Sequence, residues 1–201
     1  MSLADRWTES LNELRSRGSY RVLSLPTGID LCSNDYLGYA ARPLRPAVAR
    51  HEDRELGRLR SATAARLLRG HHPIWDEVEA TLAAWHGAEA CLMMTSGYAA
   101  NEGLLSTIVE RTDWVASDES NHASIIDGLR LSRAERFIYR HGNLNHLEDG
   151  LRRAAANRAE YGELFVVTES LFGMDGDVTP LAEIVNLVER FGAHLIVDEA
   201  H

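Results

Sequence analysis

Short apolar runs alternate with helical patterns along most of the chain. The apolar runs span residues 90–94, 113–116, 136–139, 164–168 and 194–197. Segments with apolar residues at helical spacing span 44–57, 73–86, 98–110, 123–132, 144–159 and 180–191. Strands of a parallel sheet are buried on both faces and are joined by helices, so they appear as short apolar runs between helical segments. The sequence predicts an α/β fold with a mostly parallel sheet and helices on both faces.

The N-terminal segment has a different pattern. Residues 4–17 carry apolar side chains at helical spacing among charged ones, which predicts a short amphipathic helix. Two short apolar runs follow at 20–25 and 29–32, separated by the sequence Pro-Thr-Gly. Because this tripeptide favours a chain reversal, we predict a small hairpin here.

Composition and charge argue against several classes of function. The formal net charge is −9, and no block of consecutive basic residues could neutralise a nucleic-acid backbone. The N-terminus is polar, and no run approaches the roughly 18 apolar residues of a membrane helix. Cys32 and Cys91 lack the spacing of a disulfide framework or a zinc site. We expect a cytoplasmic protein that binds no nucleic acid, membrane or metal.

A possible phosphate site follows the first apolar run. Ser96, Gly97 and Tyr98 lie between the run 90–94 and a predicted helix. The N–H groups and the positive dipole end of a helix N-terminus suit a phosphate, and glycine allows close approach. The same small residues are also typical of a structural turn that binds no anion.

Two further strand ends carry polar side chains. His122 begins the predicted helix after the run 113–116, and Glu169 ends the run 164–168. A lone histidine is more often structural than catalytic. A functional role for His122 is therefore supported only by the other polar residues at the strand ends. Asp175 and Asp177, in the glycine-rich loop that follows Glu169, are interpreted as turn and capping residues.

Asp198 and His201 close the last apolar run, at the edge where open α/β sheets bind ligands. One interpretation is a helicase-type nucleotidase, which requires a phosphate-binding loop that contains a lysine. The sequence has no lysine, since all 21 residues counted as Lys+Arg are arginines, so this interpretation is disfavoured. The other is a pyridoxal-phosphate site, in which a carboxylate pairs with the pyridine nitrogen and a histidine contacts the phenolic oxygen. This interpretation explains all four strand ends together.

Five motifs in one order resemble those of the α-oxoamine synthases, a family of pyridoxal-phosphate enzymes. They are SNDYLG at 33–38, SGYAAN at 96–101, NHAS at 121–124, MDG at 174–176 and DEAH at 198–201. The resemblance implies fold type I, the aspartate aminotransferase-like fold, in a homodimer with active sites at the subunit interface. It also implies a decarboxylative condensation of an amino acid with an acyl thioester, carried by coenzyme A or an acyl carrier protein.

The resemblance also assigns roles to the cofactor site. It implies that His122 stacks on the pyridine ring, that Asp198 pairs with the ring nitrogen and that His201 contacts the phenolic oxygen. The turn formed by Ser96, Gly97 and Tyr98 would help to hold the phosphate. Glu169 is included as a further cofactor contact because it lies at the end of a strand.

Substrate preference is left open between two branches of the family. Residues 33–38 are most similar to the branch that joins alanine to a pimeloyl thioester in biotin biosynthesis. Residues 121–128 are also similar to the branch that joins glycine to an acetyl group on coenzyme A. In either branch, Asn34 and Arg21 are the expected substrate contacts, with Asn34 at the amino-acid carboxylate.

Several features depart from the family. Residues 61–70 replace a loop that is usually richer in glycine, and Gly173 stands where many members have a serine. We expect residues 1–45 to be an arm and small-domain segment, and 46–201 to be the first part of a truncated large domain. Members bind the cofactor through a lysine, which these residues lack, so we expect this chain alone to be inactive. A non-catalytic protein that associates with a synthase is the alternative.

Overall fold

The computed structural model describes residues 2–25, 27–40 and 62–201. The chain divides into two compact units, Met1–Met93 and Met94–His201. The predicted helix at 44–57 and the predicted domain boundary between residues 45 and 46 lie outside the described residues. In the part that is described, no helix has the length and apolar character needed to cross a membrane.

The first unit begins with helix α1, Leu3–Ser16, which confirms the predicted amphipathic helix. Ser2 and Asp5 form a capping box: each side chain accepts a hydrogen bond from the other residue's backbone N–H. This reciprocal pairing satisfies two N–H groups that a helix start leaves without a partner. Trp7, Leu11 and Leu14 of α1 are each 41% exposed.

The predicted hairpin is wrong, because residues 20–25 and 29–32 form no strand. Backbone groups between and beside these two runs form hydrogen bonds with side chains and not with a neighbouring strand. The Arg69 guanidinium donates to the carbonyl oxygens of Thr27 and Gly28, and Cys32 N–H donates to the Asp30 carboxylate. A local side-chain acceptor such as Asp30 competes with sheet pairing, and Arg69 occupies carbonyl groups from a distant part of the sequence.

The unit continues with a π-helical turn, Arg66–Gly70, that the sequence did not predict, and with helix α2, Pro73–His86, that it did. Arg66 forms a bidentate ion pair with Glu79 on α2, with N···O distances of 2.6 and 3.1 Å. Glu79 also accepts the N–H of Met93 at 2.7 Å. Residues 90–94 form no strand, so the prediction of a strand there is wrong.

The second unit is an α/β structure with a four-stranded parallel sheet in the order β2-β1-β3-β4. The strands are β1 Trp114–Asp118, β2 Glu135–Tyr139, β3 Leu164–Glu169 and β4 His194–Asp198. The helices are α3 Gly97–Ile108, α4 Ala123–Ser132, α5 Leu144–Ala156 and α6 Leu181–Phe191, with a 3-10 turn at Arg158–Glu160. These elements confirm the alternating pattern that the sequence predicted.

The core lies between the sheet and helices α5 and α6. The central strands contribute alternate residues to this core: Trp114 and Ala116 from β1, and Leu164 and Val166 from β3. The residues between them are buried as well, so both faces of the two central strands are covered. Parallel crossovers are right-handed in nearly all proteins. Because β2 lies on one side of β1 while β3 and β4 lie on the other, α4 is on the face opposite α5 and α6.

This topology creates a switch point between β1 and β3. The connection after β1 leads to one side of the sheet, and the connection after β3 leads to the other. The two loops therefore diverge at the carboxyl ends of neighbouring strands and leave a crevice between them. Open α/β sheets bind their ligands in such a crevice.

Candidate cofactor site

A cavity of about 520 Å³ occupies the switch point. Its volume lies within the usual range of small-molecule pockets, roughly 300–1,000 Å³. The residues that line it come from the ends of β1, β3 and β4 and from the loop after β3: Ser120, His122, Glu169, Phe172, Gly173, Met174, Asp175 and His201. Three residues predicted to bind the cofactor, His122, Glu169 and His201, therefore share one cavity.

His122 is fixed in place from two directions. Its backbone N–H donates to Glu169 Oε1 at 2.6 Å, which joins the loop after β1 to the end of β3. Its ring nitrogen Nδ1 caps α4, lying 3.2 Å from the backbone nitrogen of Ser124 and 2.8 Å from Ser124 Oγ. The imidazole thus caps a helix and also lines the cavity, so the structural and functional interpretations of this histidine are compatible.

Asp198 is held by helix α3. Asn101 Nδ2 donates to Asp198 Oδ2 at 2.6 Å and to Ser124 Oγ at 3.0 Å. The other carboxylate oxygen accepts the N–H of Ala200 at 2.8 Å. Sequence reasoning gave Asn101 no role, although it ends the motif at 96–101. Asn101 connects the helix of that motif to the aspartate and to the first turn of α4.

The start of α3 lies beside the cavity. Ser96 caps the helix by accepting the N–H of Ala99 at 3.1 Å, and open space surrounds the position of a Cβ on Gly97. The Tyr98 ring lies edge-on to His122, with ring centroids 6.2 Å apart. Its hydroxyl donates to Asp127, a hydrogen bond that raises the pKa of the Tyr98 phenol. Ser96, Gly97 and Tyr98 do not line the cavity itself.

Gly173 and His201 approach each other closely. A Cβ placed on Gly173 would lie 2.5 Å from Nε2 of His201, well inside van der Waals contact. The glycine that departs from the family pattern therefore lets the imidazole lie directly against the backbone of the loop. A serine at position 173 would require the ring or the loop to shift.

The two predicted substrate residues belong to the first unit. Arg21 and Asn34 are both exposed there. The backbone N–H of Asn34 donates to the carbonyl oxygen of Thr63 at 2.7 Å, which ties the motif at 33–38 to the segment before the π-helical turn. Their proposed substrate contacts therefore stay predictions.

Sequence reasoning missed a second polar cluster at the same sheet edge. His141, which follows β2, places Nδ1 2.8 Å from Asp118 at the end of β1 and Nε2 3.2 Å from Asp177 in the loop after β3. Asp118 is almost fully buried. Both Asp118 and His141 follow apolar runs, just as His122 and Glu169 do, so their positions at strand ends were a signal that could have identified them.

Comparison with known proteins identifies the family of the chain. The family model described as aminotransferase class I and II matches residues 26–201. The 8-amino-7-oxononanoate synthase of Chlorobaculum parvum is 44% identical over 92% of this chain and 47% of that protein. The serine palmitoyltransferase of Sphingomonas wittichii is 35% identical, with a TM-score of 0.66 over 70% of this chain and 34% of that one. A high-resolution structure of SPT with PLP gives 33% identity and a TM-score of 0.65, with the same coverage of 70% and 34%.

The chain belongs to the class I and II aminotransferase family, whose pyridoxal-phosphate enzymes have fold type I. Within this class, its relatives are α-oxoamine synthases, represented by 8-amino-7-oxononanoate synthases and serine palmitoyltransferases. The predicted fold class, family and cofactor, pyridoxal phosphate, are thereby confirmed. The chain spans about half the length of the curated relatives it matches.

Proposed function

We propose that the chain is the N-terminal portion of an 8-amino-7-oxononanoate synthase. Such an enzyme joins L-alanine to a pimeloyl thioester with loss of carbon dioxide, a step of biotin biosynthesis. The observation that carries the proposal is the grouping of His122, Glu169 and His201 in one cavity at the switch point. The names of the curated relatives support the choice of alanine and the pimeloyl group.

His122, which lines the cavity, and Asp198 and the start of α3, which lie outside its lining, fit the chemistry of the predicted cofactor. Pyridoxal phosphate combines an aromatic ring, a basic ring nitrogen and a phosphate. Asp198 offers a carboxylate whose orientation is set by Asn101, and His122 offers an imidazole fixed at the start of α4. The N-terminus of α3, at Ser96 and Gly97, offers the N–H groups and positive dipole that favour a phosphate.

Each residue then has a limited task. When bound, the cofactor supplies an electron sink for the charge that develops as the amino acid loses carbon dioxide. Asp198 would keep a proton on the pyridine nitrogen, and His122 would stack on the ring. His201 would offer a hydrogen bond to the phenolic oxygen. Glu169 keeps His122 in position through the N–H that it accepts.

The substrate side is proposed by resemblance. Asn34 and Arg21 would bind the amino acid and the acyl thioester, with Asn34 at the carboxylate. Residues 1–45 would form the arm and small-domain segment, and 46–201 the first part of the large domain. A cytoplasmic homodimer, with an active site at the subunit interface, completes the proposal.

We further propose that these 201 residues alone do not turn over substrate. Family members hold the cofactor through a lysine amine, and the 201-residue sequence contains none. Arginine cannot replace it, because the guanidinium group stays protonated and is not a nucleophile at neutral pH. A non-catalytic partner of a synthase is compatible with the same observation.

Release of free coenzyme A from pimeloyl-CoA, with L-alanine and pyridoxal phosphate present, tests these proposals. The assay compares the 201-residue chain with the longest polypeptide that its gene encodes. We expect no release by the 201 residues and, if the longer polypeptide contains a lysine, release that depends on alanine. Turnover by the 201 residues would contradict the proposed inactivity. A longer, lysine-containing polypeptide that shows no turnover would favour the non-catalytic partner.

A second candidate activity is that of 2-amino-3-ketobutyrate CoA ligase, the glycine acetyltransferase. The similarity of residues 121–128 to that branch favours it. The same assay separates the two candidates when glycine and acetyl-CoA replace alanine and pimeloyl-CoA. Faster release with glycine and acetyl-CoA would overturn the proposed substrates while leaving the cofactor site unaffected.

A further inference from the structure

The loop at residues 170–179 forms one wall of the cavity. Its residues Phe172, Gly173, Met174 and Asp175 line the cavity. The loop folds back on itself: the N–H of Phe172 donates to the Asp177 carbonyl oxygen, and Leu171 pairs with Val178 in an isolated antiparallel bridge. The tip is solvated, since Met174 is 96% exposed. The position of the tip therefore depends on the contacts at the base and side of the loop.

The base of the loop is tied to the sheet. Thr179 Oγ1 donates to the carbonyl oxygen of Glu169, and Thr179 N–H donates to that of Ser170. Ser170 N–H in turn donates to the carbonyl oxygen of Asp198 at 2.8 Å. These bonds close the loop at its two ends but do not reach its middle.

The middle of the loop contacts the remainder of the unit at Gly173, which lies against the His201 ring, and through His141. Asp177 Oδ2 lies 3.2 Å from His141 Nε2, and the Phe172 ring meets the imidazole edge-on, with centroids 4.4 Å apart. On its other side, His141 Nδ1 lies 2.8 Å from Oδ1 of Asp118. We call Asp118, His141 and Asp177 the carboxylate–histidine bridge.

The bridge is complete only when the imidazole carries two protons. A neutral histidine has one N–H and one unprotonated nitrogen, whereas the imidazolium donates from both nitrogens. Here both nitrogens face carboxylate oxygens, which only accept. Loss of a proton therefore leaves one carboxylate opposite a lone pair, and the more exposed partner, Asp177, is the one that can move away.

We propose that His141 is a positioning residue whose protonated ring holds the loop at 170–179 against the ends of β1 and β2, so that the cavity wall loosens when the ring loses its proton. The proposal goes beyond the proposed synthase activity and does not depend on it, because the loop can be measured without any cofactor or substrate.

Three carboxylates face His141. Asp118 lies at the end of β1, Glu119 accepts the backbone N–H of His141, and Asp177 lies on the loop. Partial burial opposes protonation, but the hydrogen bonds and negative charges of Asp118 and Asp177 outweigh it and raise the pKa of His141 above its ordinary value of about 6.5. A raised pKa means that the bridge is complete below about pH 6.5 and is lost as the pH rises through the folded-state pKa.

Amide hydrogen exchange of the loop, corrected for the intrinsic pH dependence of exchange, tests the proposal on the 201-residue chain. Between about pH 6 and about pH 9, we expect loop protection to fall by about tenfold or more, the scale of one lost hydrogen bond to a charged group. The amides of β3 should keep their protection over the same range. Loop protection that stays constant while His141 titrates would overturn the proposal.

Two variants and a control isolate the bridge. His141→Gln should give low loop protection that no longer depends on pH, and Asp177→Asn should have the same effect while leaving the Asp118 contact in place. His86→Gln, at an exposed histidine of α2, should behave like the unaltered chain. If His141→Gln also loses protection in β3, its fold is disturbed, and Asp177→Asn alone decides.

The titration of the His141 ring, followed by NMR, gives a readout that a purely structural role would not change. Asp177→Asn should lower the ring pKa, because it replaces a carboxylate with a neutral amide. An unchanged ring pKa in Asp177→Asn, or a pH-dependent loop in His141→Gln, would contradict the proposal.

Discussion

The two units use their apolar residues in opposite ways. In the second unit, Val115 and Val166 are 0% exposed, each on a strand with a neighbour on both sides. In the first unit, Ile29 and Leu31 are 88% and 89% exposed, and their segment forms no strand. The central runs of the second unit form strands because neighbouring strands take up their N–H and C=O groups and other elements cover their side chains.

Truncation of a buried leucine should show this difference most strongly. Leu151 on α5 is fully buried in the core of the second unit. Leu151→Ala should lower the free energy of unfolding by about 2–5 kcal/mol, because it removes apolar contacts and leaves a cavity. The matched change Leu31→Ala, at an exposed position, should alter it by less than about 0.5 kcal/mol. Urea denaturation measures both, and equal effects would contradict the contrast between the units.

A pair of helical glycines tests how closely α3 and α4 approach. A Cβ on Gly128 would lie 2.9 Å from the Asn101 carbonyl oxygen, whereas one on Gly103 would meet only the end of the Met94 side chain at 3.9 Å. We expect Gly128→Ala to cost about 1–3 kcal/mol through overpacking. Gly103→Ala should stabilise the protein by up to about 1 kcal/mol through its helix propensity. Thermal melts of both variants provide the test, and a stable Gly128→Ala would show that the helices can separate.

We expect the stability of the first unit to depend on an ion pair, whereas the stability of the second unit depends on its apolar core. The hydrogen bond from Arg66 lowers the pKa of Glu79 despite the opposing effect of burial. A lowered carboxyl pKa contributes stability above its ordinary value of about 4.3, and this stability is lost as the pH falls through the folded-state pKa. Glu79→Gln should cost about 1–2 kcal/mol at neutral pH and weaken the loss of stability in acid.

Urea midpoints for this variant between about pH 7 and about pH 3 provide the measurement. The pH dependence of the His141 contacts has the opposite sign, because these contacts are lost as the pH rises. An acid dependence that Glu79→Gln leaves unchanged would show that the Arg66 pair does not control the first unit.

The smallest effect is expected at the surface of α1. Glu13 and Arg17 form an exposed ion pair, with side-chain exposures of 58% and 68%. Exposed pairs of this kind contribute about 0–1 kcal/mol and are screened by salt. Glu13→Gln should change the urea midpoint only slightly, and less at high salt than at low salt. A large change would mean that α1 has partners beyond its own surface pairs.

The second unit could be predicted from sequence because its hydrophobic pattern and the general rules for parallel sheets indicate the same fold. All four of its strands and all four of its helices follow the apolar pattern, and the ligand edge follows from the rule for parallel sheets. The position of His122, Glu169 and His201 at the ligand edge could be predicted because each ends or follows a strand. Asn101 was missed because it lies inside a helix and its partner Asp198 is distant in sequence. His141 does follow a strand, but its two carboxylate partners, Asp118 and Asp177, are distant in sequence and gave it no visible role.

The first unit could be predicted only in part. Helix α1 and helix α2 have strong start signals, a capping box and a proline at the first helical position. The hairpin and the strand at 90–94 failed because side chains, Arg69 and Glu79, bind backbone groups that a sheet would otherwise pair. No local pattern reports such a distant side-chain partner.

Calorimetric titration of the 201-residue chain with pyridoxal phosphate tests the central claim, that the switch-point cavity is a cofactor site, most directly. Because the sequence contains no lysine, the terminal α-amine is the one primary amine that can react with the cofactor aldehyde, and it is the same in every variant. We predict saturable binding that Asp198→Asn weakens by about tenfold or more, equivalent to about 1.4 kcal/mol, while Asp149→Asn on α5 leaves it unchanged. The absence of saturable binding, or equal affinity in Asp198→Asn, would contradict the claim.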